Sequence, residues 1–503
     1  MRGVVEHRDR SLFELDWSDP TLQAQLGTVV NAGRFIGFAD ALARVGNCAH
    51  PIRLRGSSER IDPATGEVLG SYSSAAEPLG VTYVRCGNRR AERCLACSRL
   101  YARDLFQLIR SGVCGGKTVP ATVADNPLVF ATLTAPSFGQ VHRHTRSGVC
   151  RPGPPSWCRH GRPLICRDLH PHTDQLLGQP LCPDCYDHTS QIIWQWWSSE
   201  LWRRFTINLR RAVARHLGLP ETRLARLATV QYAKVAEYQR RGVIHFHALI
   251  RLDGPRSPEG FAPAPASIDA AQLARLVRTA VESAWLVAPP VDAADLPRRI
   301  VFGAQLDVRP VRLGFRTDEP DQPLRPDQVA GYLAKYATKS ATDTGPGPNP
   351  HGRRLRATVL DLAARSRDHA LLTGVLGPYQ QLGRWIGTLG FHGHFSSRSR
   401  RYSITLGALR RARRRVSVLL AAQAATDTQP LDLAALEDQL LADDTDTTLI
   451  IGHWNYLGAG WDSDAEHALA VASAARAREH DQQRAEHRKA AAQSENQFAG
   501  RKE

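Results

Sequence analysis

The sequence lacks any long hydrophobic run. None of its 503 residues lie in a stretch that approaches the ~18 consecutive apolar residues of a membrane-spanning helix. The first ten residues, MRGVVEHRDR, carry charges where a secretory signal peptide has its apolar segment. We therefore expect neither secretion nor membrane insertion, no membrane partner, and a cytoplasmic location.

Acidic residues and lysine are both scarce relative to arginine. The chain has 65 Lys+Arg against 49 Asp+Glu, a formal net charge of +16, and only six of the basic residues are lysine. A surface of this charge favours a polyanionic partner such as nucleic acid. Because arginine is used almost everywhere, the few lysines mark positions where a compact point charge is expected to matter.

Cysteine is concentrated in one part of the chain. Nine of the ten cysteines fall between Cys86 and Cys185, and two pairs have the spacing Cys-x-x-Cys. In a chain without a recognisable export signal this pattern favours structural zinc over disulfides, and one or two sites are expected. Scattered buried thiols or a redox pair are the alternative, and the grouping of ligands stays open. The candidate zinc ligands are Cys86, Cys94, Cys97, Cys158, Cys166, Cys182 and Cys185.

One of four His-x-His triplets lies in a pattern typical of a β-strand. His245 and His247 alternate with an apolar series in GVIHFHALIRL, so a strand would place both imidazoles on one face and the apolar side chains on the other. The preceding run ARLATVQYAKVAEY predicts the other strand of a hairpin. If the hairpin is symmetric about residue 241, Glu237 pairs with His245 and faces the same way. Two imidazoles and a carboxylate with open positions suit Mg²⁺ or Mn²⁺ bound to a substrate phosphate.

A second candidate element is the helix predicted over RPDQVAGYLAKYATKS. Tyr332 and Tyr336 share one helix face, and each is followed three residues later by a lysine, Lys335 and Lys339. A phenol is a weak nucleophile at neutral pH, but a metal ion and a nearby ammonium would stabilise the charge that develops as it attacks a phosphate. The product would be a covalent phosphotyrosine and a free 3′-hydroxyl.

These motifs resemble those of the HUH (His-hydrophobic-His) endonucleases, and more closely those of the replication initiators of actinobacterial integrative and rolling-circle plasmids. FATLT at 130–134, VIHFHALI at 243–250 and YLAKYATK at 332–339 follow the order of the family's motifs. The resemblance covers about 128–340 and extends more weakly to 390–407. It implies an α+β fold with a central antiparallel sheet, flanking helices and a Cys-rich insertion, as in HUH and RRM-like domains.

The resemblance also implies a function. The chain would nick one strand of a plasmid or integrative-element origin by metal-dependent transesterification through Tyr332 or Tyr336, with metal at His245 and His247, for rolling-circle replication. Glu237 as third ligand is carried over by position. No helicase domain is readable, so a host helicase and polymerase would be needed. A transposase or conjugative relaxase of the same superfamily, or a non-catalytic zinc-containing DNA-binding protein, are the alternatives.

The sequence suggests five segments and one further DNA contact. Five arginines crowd two helical turns after residue 409, which suits duplex phosphates; these are Arg410, Arg411, Arg413, Arg414 and Arg415. The expected segments are an N-terminal region of unknown role (1–85), a first zinc-binding segment (86–127), the nuclease domain (128–345, with an insertion at 140–188), a basic, helical DNA-binding region (346–477) and a charged, disordered tail (478–503).

Overall fold

The fold is described by a computed structural model that covers residues 15–145, 148–257, 260–311, 330–331, 349–426, 436–441 and 449–499. Its α-helices are α1 (Pro20–Asn31), α2 (Phe35–Arg44), α3 (Leu95–Cys114), α4 (His188–His216), α5 (Ala270–Glu282), α6 (Pro350–Thr373), α7 (Leu406–Thr426), α8 (Glu437–Leu441) and α9 (Asp464–Ala499). Its strands are β1 (Ile52–Ile61), β2 (Val68–Ser73), β3 (Thr82–Val84), β4 (Leu128–Leu133), β5 (Thr229–Tyr238), β6 (Ile244–Asp253), β7 (Trp285–Ala288), β8 (Arg298–Val301), β9 (Leu306–Pro310), β10 (Ser396–Arg398) and β11 (Leu449–Ala459). Short 3₁₀ helices span Ser74–Ala76, Ala121–Asp125, Glu221–Arg226 and Leu382–Thr388.

The chain divides into two compact units. One unit combines residues 1–104 with 410–503, and the other comprises residues 105–409. The boundaries fall inside α3 and α7. Among the described residues, no helix has both the length and the apolar character needed to cross a bilayer.

The unit formed by residues 105–409 is built on a five-stranded antiparallel sheet. Its strand order is β10-β5-β6-β4-β9, and β5 and β6 form the predicted hairpin. The predicted α+β class with a central antiparallel sheet is therefore confirmed. Strand β9 joins the edge of the central sheet, whereas β8 pairs with β7 in a separate two-stranded sheet.

One face of this sheet is the hydrophobic core. Ile244, Phe246 and Leu252 alternate along β6 and are almost completely buried. They belong to the same core cluster as Trp202 and Phe205 of α4, a helix of 29 residues that ends just before Gly218. Alternation in β6 thus places the apolar side chains toward α4 and the imidazoles on the opposite face.

The opposite face of the sheet is covered by α3. Arg251 lies on the same face as His247 because the two residues are four apart in β6. Its guanidinium is fully buried, pairs with Asp253 at 2.6 Å and donates to the carbonyl of Gly112 in α3. A buried arginine that satisfies both a carboxylate and a helix carbonyl fixes α3 over this half of the sheet.

The other unit joins the two ends of the chain. Its sheet has the order β11-β1-β2, with β3 also paired to β1, and β1 and β11 pair over ten residues. Phe38, Trp461 and Leu469 belong to its separate core. The predicted division differs from this arrangement because residues after 346 contribute to both units: β10 extends the central sheet, whereas β11 pairs with β1.

The tail expected to be disordered after residue 478 is helical as far as Ala499. It continues α9, which begins at Asp464 and is rich in alanine, the strongest helix former. Asp481 accepts hydrogen bonds from Arg99 and Arg103 of α3, and these contacts hold that turn of the helix. The expectation followed from charge alone and overlooked the helix propensity of the alanines.

Lys234 is an unusual member of the apolar core. Its ammonium lies 4.6 Å from the Phe246 ring centroid and 5.5 Å from that of Trp202, and its residue is 4% exposed. Burial lowers the pKa of Lys234 to about 7. The unfolded chain, with an ordinary lysine pKa of ~10.4, binds a proton more tightly. This residue therefore destabilises the fold most below about pH 7, and the cost falls away as the pH rises from there toward the ordinary lysine pKa.

We expect Lys234→Met to raise the free energy of unfolding by roughly 2–4 kcal/mol near pH 6, because it removes a desolvated charge from the core. The gain should shrink as the pH rises toward ~10. Urea unfolding at several pH values measures both effects. The control substitution Arg210→Met, at an exposed position of α4, should leave the free energy of unfolding nearly unchanged. A pH-independent difference would contradict the assigned cause.

Candidate metal centres

The β5–β6 hairpin brings three potential ligands to one point. Glu237 pairs with His245 in the register, which confirms the predicted alignment, and His247 follows two residues later on the same face. The Nε2 atoms of His245 and His247 each lie 3.0 Å from Oε2 of Glu237 and 3.1 Å from each other. The three donor atoms therefore form a nearly equilateral triangle.

This triangle has the dimensions of one face of the octahedron that six ligand atoms form around a metal ion. Metal–ligand bonds of ~2.1 Å at right angles separate neighbouring donor atoms by ~3.0 Å. An ion held on this face would keep its remaining positions for water or substrate oxygens. The arrangement of Glu237, His245 and His247 fits a divalent ion with open coordination sites.

The protonation states of Glu237 and His247 suit metal binding. Burial raises the pKa of Glu237, but hydrogen bonds from His245 and His247 outweigh it and lower that pKa to about 2. Burial lowers the pKa of His247, whose side chain is only 3% exposed. At neutral pH the site therefore presents a carboxylate beside a neutral imidazole, the forms in which both bind metals.

Thr132 orients one of the two imidazoles. It pairs with His247 across β4 and β6, and its hydroxyl lies 3.1 Å from Nδ1 of that ring. The Phe130 ring stacks beside the same imidazole at 5.8 Å, with an interplanar angle of 9°. A partner on Nδ1 leaves Nε2 directed at the Glu237 carboxylate. Thr132 belongs to the FATLT motif, whose sequence alone indicated no role for this residue.

A further carboxylate lies on the same face of the sheet. Asp307 of β9 pairs with Thr132, so the register continues from His247 through Thr132 to Asp307. Its carboxylate is 47% exposed and forms an ion pair with Arg309 at 2.9 Å. The sequence offered no signal for it, because β9 reaches this position only through pairing with β4.

The predicted nucleophiles lie outside the described residues. Tyr332, Lys335, Tyr336 and Lys339 all fall between the described pair 330–331 and residue 349. Ala330 is fully buried, and a Cβ built on Gly331 would lie 4.0 Å from Phe106 of α3. The residue before Tyr332 thus lies beside α3, the helix that covers the histidine face of the sheet.

A first cysteine group lies in the unit that joins the two ends of the chain. Sγ of Cys48 lies 3.8 Å from Sγ of Cys94 and 3.6 Å from Sγ of Cys97, and Cys86 completes the group. Tetrahedral coordination with metal–sulfur bonds of ~2.3 Å separates the sulfurs by ~3.8 Å. The fourth ligand, Cys48, was missed because it lies 38 residues before Cys86.

A second group combines two histidines and two cysteines from the insertion. Nδ1 of His142 lies 3.1 Å from Nε2 of His170, and Sγ of Cys166 lies 3.4 Å from the same Nε2. Cys150 is the fourth member. Nδ1 of His170 forms a hydrogen bond with the Asp174 carboxylate at 2.6 Å. A hydrogen bond of this kind on the second ring nitrogen is typical of a metal-bound histidine. Only Cys166 of this group was among the predicted ligands.

A third group is formed by Cys158, His160, Cys182 and Cys185. Nδ1 of His160 lies 3.2 Å from Sγ of Cys185 and 3.6 Å from Sγ of Cys182. The structure thus brings together three groups of four ligands where one or two sites were expected. The ten cysteines, all within the described ranges, form no disulfide.

The arginines of α7 divide into two sets. Arg410 and Arg414 are exposed. Arg413 pairs with the buried Asp104, Arg415 donates to the carbonyl of Leu440 at 2.9 Å, and Arg411 is half-buried. Contact with DNA by these five residues stays a prediction. Within the set, Arg410 and Arg414 are the two residues exposed to solvent.

The fold and these groups describe an α+β protein with four side-chain groups that could each hold a metal ion, one of them on the central antiparallel sheet. A family model described as "RepSA: Replication initiator protein, pSAM2" matches residues 35–475. The chain is also 40% identical over 451 residues to a replication initiator protein of Streptomyces ambofaciens, which covers 88% of this chain and 90% of that protein. No solved structure matches it. The chain belongs to this family of replication initiators; its assignment to the HUH endonucleases stays a prediction.

The three cysteine-containing groups make the metal content of the purified protein a direct test. We expect Cys182→Ser to lower the tightly bound metal by one equivalent, because Cys182 is a buried member of the third group. Cys114→Ser should leave the metal content unchanged, since Cys114 belongs to none of the groups. Mass spectrometry of the metals in dialysed protein measures both. An equal metal content in Cys182→Ser and the parent would contradict this assignment.

Proposed function

We propose that the chain nicks one strand of a replication origin by metal-dependent transesterification onto tyrosine, as an HUH-type rolling-circle initiator. The observation that carries the proposal is the convergence of Glu237, His245 and His247 within 3.1 Å of one another on an otherwise well-packed sheet. Family membership supports origin DNA as the substrate. Three protein ligands would leave the other positions of an octahedral ion for water or substrate, which supports catalysis over a purely structural role.

Glu237, His245 and His247 would hold Mg²⁺ or Mn²⁺, which would polarise the scissile phosphate when bound. The chain's own contribution is to keep the ligands oriented. Thr132 fixes the His247 ring through Nδ1, and the β5–β6 register fixes Glu237 opposite His245. Because the pKa of Glu237 is lowered to about 2, its carboxylate is ionised at neutral pH and available to a cation.

The reaction exchanges one phosphate ester for another. The phenol oxygen of Tyr332 or Tyr336 forms a bond to phosphorus and loses its proton, while the bond from phosphorus to the 3′ oxygen breaks and that oxygen leaves as a hydroxyl. The product is a 5′-phosphotyrosine and a free 3′ end from which a polymerase can extend. Lys335 and Lys339 would stabilise the charge on the phosphate.

Two tyrosines on one helix allow two successive transfers. The phosphotyrosine ester preserves the energy of the original bond, so the new 3′ end or the second tyrosine can attack it without hydrolysis. Gly331 beside Phe106 supports delivery of this segment from the side of α3. The order in which Tyr332 and Tyr336 act is left to experiment.

The three cysteine-containing groups would bind zinc and stabilise the fold. Thiolate and imidazole ligands at tetrahedral spacing are those of structural zinc sites, and each group fills all four positions with protein ligands. Two of the groups lie in the insertion between β4 and α4, a segment with isolated β-bridges and turns. Such a segment gains its rigidity from metal coordination because it has little core of its own.

Duplex DNA next to the nick would be held by the basic surface. Arg410 and Arg414 are exposed in α7, and the chain carries a net charge of +16. Contacts of this kind make affinity steeply dependent on salt. A host helicase and polymerase would complete replication after the nick.

The decisive test is a nicking assay with a labelled origin strand and Mn²⁺. We expect the double variant Tyr332→Phe and Tyr336→Phe to lose the covalent protein–DNA adduct while it still retards duplex origin DNA, because only the nucleophilic oxygens are removed. Tyr101→Phe, a change in α3, should retain full nicking. Undiminished nicking by the double variant would contradict the proposed nucleophiles.

A further inference from the structure

The sheet that joins the two ends of the chain has an exposed aromatic face. Tyr72 of β2 and Trp454 and Tyr456 of β11 are 38%, 36% and 66% exposed. In the register Tyr72 pairs with Ser58, Trp454 with Gly56 and Tyr456 with Leu54, positions that alternate along β1. All three rings therefore project from one face, which we call the aromatic strip.

Glycines make room for these side chains. A Cβ at Gly452 would lie 2.9 Å from Nε1 of Trp454, so the indole occupies the space of a missing side chain. A Cβ at Gly56 would collide with the carbonyl of His453. The two strands thus approach closely beneath the ring, and Trp454 stays exposed on top of them.

The aromatic strip is also ordered before any ligand binds. The ring centroids of Tyr72 and Trp454 lie 5.9 Å apart with an interplanar angle of 31°. The hydroxyl of Tyr72 donates to Glu77 at 2.7 Å and lies 2.8 Å from the hydroxyl of Thr82. Along β11, Trp454 and Tyr456 are two residues apart, which is ~6.8 Å in a strand. Successive bases can stack on rings held in this way.

The strands of this face supply one cation, and the neighbouring Glu77 carboxylate pairs with Arg44 at 2.5 Å. Arg60 pairs with Ile450 and Gly70, so it lies on the side of the aromatic strip, and Gly70 leaves room for its guanidinium. Glu59, the carboxylate within β1, projects from the opposite face, and the sequences of β2 and β11 contain no acidic residue. The strip therefore combines stacking surfaces with a cation and no carboxylate among its strand residues.

We propose that the aromatic strip binds single-stranded DNA by stacking bases on Tyr72, Trp454 and Tyr456, with Arg60 at a phosphate. Exposed rings beside a cation on a sheet are the arrangement by which many proteins bind single strands without sequence preference. This inference rests on the proposed function in one respect: nicking and unwinding of the origin would produce the single-stranded DNA that the strip binds. Binding itself requires no nicking and no catalytic metal.

The test is the affinity of the full-length protein for labelled oligothymidylate in EDTA-free buffer without Mg²⁺ or Mn²⁺. We expect Trp454→Val and Tyr456→Thr to weaken binding roughly 5- to 100-fold each, because stacking on each ring is lost while β-branched residues preserve the strand. Trp285→Val removes an equally exposed ring in β7 and should not change the affinity. Unchanged affinity in both strip variants would overturn the proposal.

Three further outcomes distinguish base stacking on the strip from a general loss of DNA binding. Equal loss of duplex affinity in the strip variants would indicate a general electrostatic or folding defect and would overturn the proposal. Tighter binding of oligouridylate than of oligothymidylate by the parent protein would also overturn it.

If the variants fold poorly, photocrosslinking of iodouracil-containing DNA to the parent protein provides the test. Adducts on peptides with Tyr72, Trp454 or Tyr456 would support the proposal, and adducts only on other peptides would overturn it. A protein that binds oligothymidylate but never nicks origin DNA would instead overturn the proposed function.

Discussion

The pairing of β5 with β6 is the constraint on which the candidate catalytic centre depends. Side chains alternate with a period of two, so a slip of one residue would turn Glu237 into the core and separate it from both imidazoles. The register is fixed from both sides of the sheet: Phe246 and Leu252 are buried against α4, and Arg251 is bonded to α3. The metal site is therefore set by ordinary core packing, and its ligands need no loop to position them.

The cysteine-containing groups lie in segments with little hydrophobic packing, which bound zinc would hold in place. The insertion between β4 and α4 has few apolar side chains, and eight of its cysteines and histidines lie in two compact groups. The group of Cys48, Cys86, Cys94 and Cys97 likewise ties the chain after α2 to the start of α3. The protein thus places its candidate chemistry on a conventional sheet, and under the proposed zinc binding metal coordination would organise the connections around it.

The parts predicted correctly from sequence are those governed by local periodicity. The alternation in β6 and the short turn before it sufficed to align Glu237 with His245. His142 and Cys150 were not assigned as ligands because no Cys-x-x-Cys spacing marks them. Cys48 was not assigned because 38 residues separate it from Cys86, the next member of its group. The pairing of β1 with β11 was missed for the same reason, since nearly the whole chain separates the two strands. Thr132 and Asp307 could be placed only through strand pairing, which sets Thr132 opposite His247 and Asp307 opposite Thr132.

The most direct test of the account is electron spin-echo spectroscopy of Mn²⁺ bound to protein with ¹⁵N-labelled histidine. Coordination by His245 and His247 predicts hyperfine coupling from two imidazole nitrogens, reduced to one in His245→Ala and retained in His142→Ala, which alters a different group. Mn²⁺ that binds without any histidine coupling, or with coupling unaffected by His245→Ala, would contradict the central claim that this hairpin holds the catalytic ion.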